Sequence, residues 1–248
     1  MDKRERKDEL YELLLKDGHL TVSQLAARLY TSESSVRRDL AELSELGLIK
    51  RTHGGARAIA SASTVIPFSK RSFSATVEKR KIAAKAATLI KDGATVFLDQ
   101  SSTSYFLALE LLHRTGLTVV TNNLEILSLL GASDNTLIST GGTVSKHNTN
   151  CLIGREAARG FENIFADLAF FSCKAIDKDG VISDCEAEEI AVREAMLKNA
   201  KTRVLLIDST KLGTRSVFKQ CTLGEVEVAV CDAPLDLYKR NFGELVTL

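Results

Sequence analysis

The chain has 248 residues, a net charge of +1, 44% hydrophobic and 26% charged residues, the composition of an ordinary globular protein with room for two domains. Near-neutrality excludes a polycation that coats nucleic acid or membranes, so any nucleic-acid site must come from local segregation of charge. The charged start, residues 1–10, has no apolar core behind it, and no run approaches the roughly 18 apolar residues of a membrane span, which predicts a cytoplasmic protein with no membrane partner.

Residues 4–16 read as an amphipathic helix with Leu10, Leu13 and Leu14 on its apolar side. Thr21-Val22-Ser23-Gln24 reads as a capping box that opens a short helix through Leu29, with Leu25, Ala26 and Leu29 facing inward. Only Tyr30 and Thr31 follow before Ser32, which caps a third helix over residues 33–46. In that helix Val36, Leu40, Leu43 and Leu46 form one apolar stripe, and Gly47 stands where a helix end favours a left-handed residue. The opposite face carries Ser34, Ser35, Arg37 and Arg38. Three helices with a tight turn between the last two predict a helix-turn-helix.

Residues 48–57 then read as a β-hairpin wing that turns at Gly54-Gly55. On this reading the third helix brings Ser34, Ser35, Arg37 and Arg38 to base edges or the DNA backbone, while Lys50, Arg51 and Arg57 lie along phosphates. Thr21, Ser32, His53, Gly54 and Gly55 complete the predicted DNA-binding set. Residues 1–57 hold 11 Lys or Arg against 10 Asp or Glu, so the basic face must be segregated from the acidic one. Asp39, Glu42 and Glu45 are expected either to face away from DNA or to be ion-pair partners that aim the arginines.

The run from Val36-Arg37-Arg38-Asp39-Leu40 through Gly47 to Arg51-Thr52-His53-Gly54-Gly55-Ala56 resembles the DeoR family of bacterial transcriptional regulators. The resemblance implies an N-terminal winged helix-turn-helix of α+β class that binds a double-stranded DNA operator. Because one winged helix reads only a short half-site, a homodimer or homotetramer is expected.

Residues 58–75 are rich in Ser and Ala and show no sustained period, which predicts a linker between domains at 1–57 and 76–248. Beyond it, helices at residues 76–92, 103–113, 124–130 and 187–198 alternate with apolar strands at 94–98, 117–120, 136–139, 166–172, 203–207 and 226–230. This alternation predicts an α/β domain with a mostly parallel sheet. Ligands of such sheets bind beyond the carboxyl ends of the strands. There the chain places Asp99-Gln100-Ser101-Ser102-Thr103, Thr121-Asn122-Asn123, Thr140-Gly141-Gly142 and Asp208-Ser209-Thr210-Lys211. Ser and Thr ahead of a helix often do no more than cap it. Four such loops together predict a polar pocket, with helix N-termini and Lys211 suited to a phosphate and Asp99 or Asp177 suited to sugar hydroxyls.

This half also resembles the DeoR sensor domain, through the segments 97–103, 120–123 and 208–213. That resemblance implies a fold related to ribose-5-phosphate isomerase and CoA-transferase-like proteins and an effector that is a phosphorylated sugar or related metabolite. Ser102 replaces the glycine usual in the family's phosphate loop, and Lys174 stands in a turn that is Gly- and Ala-rich in the family, which implies either an additional phosphate ligand or a pocket altered for a different metabolite. The alternative is a sugar-phosphate isomerase-like enzyme fused to a DNA-binding module, with Asp99, Asp177 or Glu188 as its base. Glu186, Glu188 and Glu189 are also read as favourable charges near a helix N-terminus. No G-x-G-x-x-G or P-loop motif occurs, and the five cysteines and four histidines show no metal-ligand spacing, so no cofactor, metal or disulfide is expected. The expected function is a carbohydrate-responsive transcriptional repressor and not an enzyme.

Overall fold

A computed structural model describes residues 3–45, 48–59, 68–235, 238 and 246–247. They form two compact units that divide between Thr76 and Val77.

The first unit runs α1 (Lys3–Asp17), β1 (His19–Thr21), α2 (Val22–Arg28), α3 (Glu33–Glu45), β2 (Ile49–Thr52), β3 (Gly55–Ala58) and α4 (Phe68–Ser72). One buried cluster holds it together, with Leu10, Tyr11 and Leu14 from α1, Leu25 and Leu29 from the α2 segment, and Val36, Leu40 and Leu43 from α3. These are the apolar stripes that the helical period predicts; Leu46 and Gly47 lie outside the described residues. The predicted hairpin is one strand larger than its sequence signal, because β1, ahead of α2, pairs antiparallel with β3 and makes a sheet of order β1-β3-β2.

Two acidic residues of α3 pair with α1. Arg6 of α1 pairs with Asp39 at 2.6 Å and Lys7 pairs with Glu42 at 2.9 Å, so these carboxylates fasten α3 to α1. Part of the expected linker is also folded. Ala58 closes β3, Phe68–Ser72 forms α4, Phe73 meets Tyr11 edge-on at 6.3 Å, and the Ala75 N–H donates to Glu12. The aromatic residues at 68 and 73 give that segment something to bury, which its Ser and Ala content masks. Residues 60–67 of the expected linker lie outside the described residues.

The second unit begins with α5 (Thr76–Ala87) and continues β4 (Thr95–Leu98), α6 (Ser102–Glu110), β5 (Thr118–Thr121), α7 (Leu124–Leu130), β6 (Thr136–Ser139), β7 (Thr143–Val144), β8 (Leu152–Ile153), α8 (Arg155–Glu162) and β9 (Ala166–Phe171). After these come β10 (Ala175–Ile176), β11 (Val181–Asp184), α9 (Ala187–Lys198), β12 (Ala200–Ile207), β13 (Phe218–Thr222), β14 (Val228–Cys231) and β15 (Val246–Thr247). The main sheet has the order β15-β14-β12-β9-β4-β5-β6, and all its pairings are parallel. Strands buried on both faces read as continuous apolar runs, as Val96-Phe97-Leu98 and Val204-Leu205-Leu206-Ile207 do, each residue with 0% exposure. The α/β architecture predicted from alternation is therefore present.

From β4 the chain builds outward through β5 and β6, then returns to place β9 on the other side of β4 and builds outward again through β12 and β14. The order of the strands thus reverses between β4 and β9, the point beyond whose carboxyl ends ligands of open α/β sheets bind. Two smaller sheets have weak sequence signals: the antiparallel pair β7-β8 and the sheet β10-β11-β13, with an irregularity between Ile182 and Ser183. Their strands are two to five residues long, too short to show a period. Among the described residues no helix is long and apolar enough to cross a membrane.

Candidate functional site

In the first unit, Ser32 opens α3: its hydroxyl accepts the Ser35 N–H at 3.2 Å and lies 2.9 Å from Ser34 Oγ and 3.0 Å from Ser35 Oγ. Arg37 and Arg38 are exposed on the same helix, Arg37 donating to Glu33 at 2.8 Å and Arg38 reaching Ser35 Oγ at 3.5 Å. Lys50, Arg51, His53, Gly54 and Arg57 are exposed on the wing, and Lys50 stands directly opposite Arg57 across the β2–β3 register. With Asp39 and Glu42 drawn back to α1, residues 1–57, nearly neutral in sum, show cations on α3, beside exposed Glu33 and Glu45, and on the wing.

Two predicted DNA-binding residues have structural work instead. Thr21 spends its hydroxyl on the α2 capping box, accepting from the Gln24 N–H and donating to Gln24 Oε1. Gly55 is buried against β1, where a Cβ would come within 2.3 Å of the Leu20 carbonyl oxygen. Its lack of a side chain serves the packing of β3 on β1. The wing tip is anchored as well, because the Gly54 carbonyl accepts from the Val22 N–H at 2.8 Å.

In the second unit two buried charged groups of α9 tie the loop after β4 to the segments around it. Arg193 of α9 donates to Asp99 at 3.1 Å, to Asp184 at 3.1 Å and to Gln220. Burial opposes its charge, yet Asp184 and Asp99 outweigh that cost and hold its pKa above the ordinary value. Glu189, one turn earlier, accepts from Gln100 Nε2 at 2.9 Å and Asn148 Nδ2 at 2.9 Å. The loop after β4, the segment between β7 and β8, and α9 are thereby joined. Lys211 Nζ donates to Ser172 Oγ at 3.0 Å and pairs with Asp208 at 3.4 Å, which links the carboxyl ends of β9 and β12.

The carboxylates behave differently from expectation. Asp99 is 0% exposed, and its two oxygens accept from the Ser101 N–H, Ser104 Oγ, the Ser172 N–H and Arg193. It organises the loop and has no capacity left for a sugar hydroxyl. Asp177 accepts from the backbone of Asp179 and Val181 and pairs with Arg215, closing the β10–β11 turn. Glu188 is exposed, and its neighbour Glu189 is the residue turned inward. Gly142 is required by packing, since a Cβ there would lie 2.7 Å from the Ile153 carbonyl oxygen; Gly141, with φ 68°, is exposed.

Ser101 caps α6 by accepting the Ser104 N–H at 3.0 Å, while Ser102, Thr103 and Thr140 are buried beside their strand ends and Lys174 is half-buried. Asn122 donates to the Leu152 carbonyl at 3.0 Å. Three buried oxygens at these strand ends, Thr103 Oγ1, Asn122 Oδ1 and Asn148 Oδ1, have no hydrogen-bond partner within the protein. Sequence reasoning missed Asn148, Ser172 and Arg193 and read Glu189 only as a charge near a helix N-terminus, since their roles come from contacts across the chain. The five cysteines are all free; Cys151, Cys173 and Cys231 are buried, and burial pushes the Cys173 thiol up to about 12. A surface cavity of about 330 Å³, bordered by Lys91, Asp92, Asp167 and Lys201, opens at the amino ends of β4, β9 and β12, away from this cluster.

Comparison with known proteins adds sequence relatives to this geometry. Residues 6–62 match the family described as DeoR-like helix-turn-helix domain, and residues 74–233 match the DeoR C terminal sensor domain. The chain is 35% identical over 239 residues to the HTH-type transcriptional regulator GolR of Listeria innocua, covering 95% of this chain and 94% of the relative. It is 30% identical over 234 residues to the glycerol-3-phosphate regulon repressor of Escherichia coli, covering 94% and 92%. The lactose phosphotransferase system repressor of Staphylococcus aureus is 34% identical over 239 residues, with 94% and 93% covered. Among solved structures, ribose 5-phosphate isomerase A from Methanocaldococcus jannaschii overlaps 54% of this chain and 53% of its own at 19% identity and a TM-score of 0.41, a likeness too loose to bear on function.

Proposed function

The chain belongs to the DeoR family of transcriptional regulators, and from that premise we propose that it represses carbohydrate-metabolism genes by binding an operator that a phosphorylated sugar controls. The observation that carries the DNA half is the segregation of charge. Arg37, Arg38, Lys50, Arg51 and Arg57 are exposed while Asp39 and Glu42 pair with α1, so residues 1–57, nearly neutral in sum, still offer phosphates a set of exposed cations.

The effector half rests on the polar loops gathered at the reversal of the sheet. Lys174 and Lys211 supply positive charge, the α6 N-terminus supplies N–H donors, and Gln100, Asn122, Asn148 and Thr103 supply polar atoms for a sugar. A coupling of about 1–3 kcal/mol between the two sites changes affinity about 5- to 150-fold, enough for a switch. An enzymatic role is disfavoured because Asp99 and Asp177 have their oxygens engaged and Glu188 is exposed, leaving none of the predicted bases free beside a substrate. A cytoplasmic homodimer or homotetramer with contacts in the second unit fits this role, and Phe165, Val217 and Phe218 are 85%, 67% and 42% exposed there.

The test is binding to duplexes from upstream of the chain's own gene and its neighbours, titrated with salt and with a panel of sugar phosphates. Salt-sensitive binding altered by one compound is the expected result. In the same assay Arg38→Ala should weaken DNA binding, lower the salt slope by about 1 if the arginine neutralises a phosphate, and leave effector binding unchanged. Equal loss of both would sink the division of labour between the units.

A further inference from the structure

The end of α2 contains a residue that the fold alone does not account for. The Thr31 N–H donates to the Ala26 carbonyl at 3.0 Å and the Tyr30 N–H to the Ala27 carbonyl at 3.4 Å, the paired bonds of a Schellman motif. That motif needs a left-handed residue at position 30, and Tyr30 has φ 48°. Glycine adopts this backbone freely, whereas a Cβ crowds the following carbonyl oxygen. A large side chain offsets such strain when it packs. Tyr30 is 97% exposed and so gains nothing from the core.

A strained backbone that carries an unpacked aromatic ring marks a place where the side chain serves something outside the fold. The position says what that is. Tyr30 lies two residues before Ser32, the cap of α3, and so at the same end of α3 as Ser34, Ser35, Arg37 and Arg38. In a helix-turn-helix the second helix enters the major groove and the first crosses the backbone, so the turn between them faces the groove's edge, where phosphates lie. We infer that Tyr30 is a DNA contact whose phenolic O–H donates to a phosphate oxygen at the mouth of the groove that α3 enters. Tyrosine hydroxyls are among the neutral groups that fix a protein's position on a duplex in this way.

The inference rests on the chain's membership of a DNA-binding family and not on its effector. The test uses the full-length protein and a duplex enriched by the unaltered protein from a randomised library, with Tyr30→Gly and Tyr30→Phe compared. Tyr30→Gly should raise the thermal midpoint, since it relieves the backbone, and weaken binding by about tenfold, as loss of a hydrogen bond to a charged group does. Tyr30→Phe should leave the thermal midpoint unchanged and weaken binding to a similar degree. Neither should alter the dependence of affinity on salt, because the phenol is neutral. Unaltered affinity in either variant overturns the phosphate contact, as does loss of self-association with DNA affinity retained, which would assign the ring to a protein surface. If the unaltered protein enriches no duplex, the DNA-binding reading itself falls and the Tyr30 contact with it.

Discussion

Arg193 keeps its charge with 2% of its side chain exposed because Asp99 and Asp184 meet it from two directions. A buried ion cluster of this kind adds little net stability, but removing one partner leaves the others charged and unsolvated. Arg193→Met is therefore expected to cost about 3–5 kcal/mol in urea unfolding of the second unit; a cost below about 1 kcal/mol would show that Asp99 and Asp184 find other partners or water. The neighbouring glutamates show how far single residues were legible. Glu188 and Glu189 are identical in type and adjacent, and the roughly 100° between successive side chains on α9 exposes the first and buries the second against Gln100 and Asn148. α9 carries apolar, acidic and basic residues around most of its circumference, so no stripe marks which glutamate turns inward.

Secondary elements were legible where the period was long and clean. α3 was foreseen from its stripe and cap, α7 from its place in the alternation of strands and helices, and β4, β5, β6, β9, β12 and β14 from their apolar content, whereas β15 was not. β1 was not, since His19-Leu20-Thr21 has one buried side chain and gains its pairing only when β3 arrives from 36 residues later. Gly55 lies at that junction. A Cβ there would force β1 and β3 apart, and Gly55→Ala is expected to cost about 1–3 kcal/mol, as overpacking does. Because the displaced element is the wing, DNA affinity should fall as well, although Gly55 itself is buried. Thermal unfolding together with a DNA titration checks this; an unchanged midpoint would mean that the strands separate without penalty.

For the molecule as a whole, acid should be the destabilising direction. Burial raises the pKa of Asp208, but Lys211 and the bond from Thr210 outweigh it and hold the carboxyl below its ordinary value. At Asp177 burial is likewise overcome by the Val181 backbone and Arg215. A carboxyl whose pKa is lower folded than unfolded contributes its full stability above the unfolded value, about 4, and loses it as pH falls through the folded value. Urea stability should hold from neutrality to about pH 5 and decline below about pH 4, and Lys211→Met should shallow that decline. Stability that rose between pH 5 and pH 3 would contradict these assignments. The sequence by itself determined the two-part organisation, the helix-turn-helix, the parallel α/β sheet and the loops that crown it, because local periodicity, caps and apolar runs are properties of neighbouring residues. Only the tertiary structure decided which of those residues are scaffold and which remain available. Asp99, Asp177, Thr21 and Gly55 were claimed by internal partners and packing, and Glu189 and Arg193 were brought to the centre, since burial and hydrogen-bond partners are set by segments tens of residues apart in the chain.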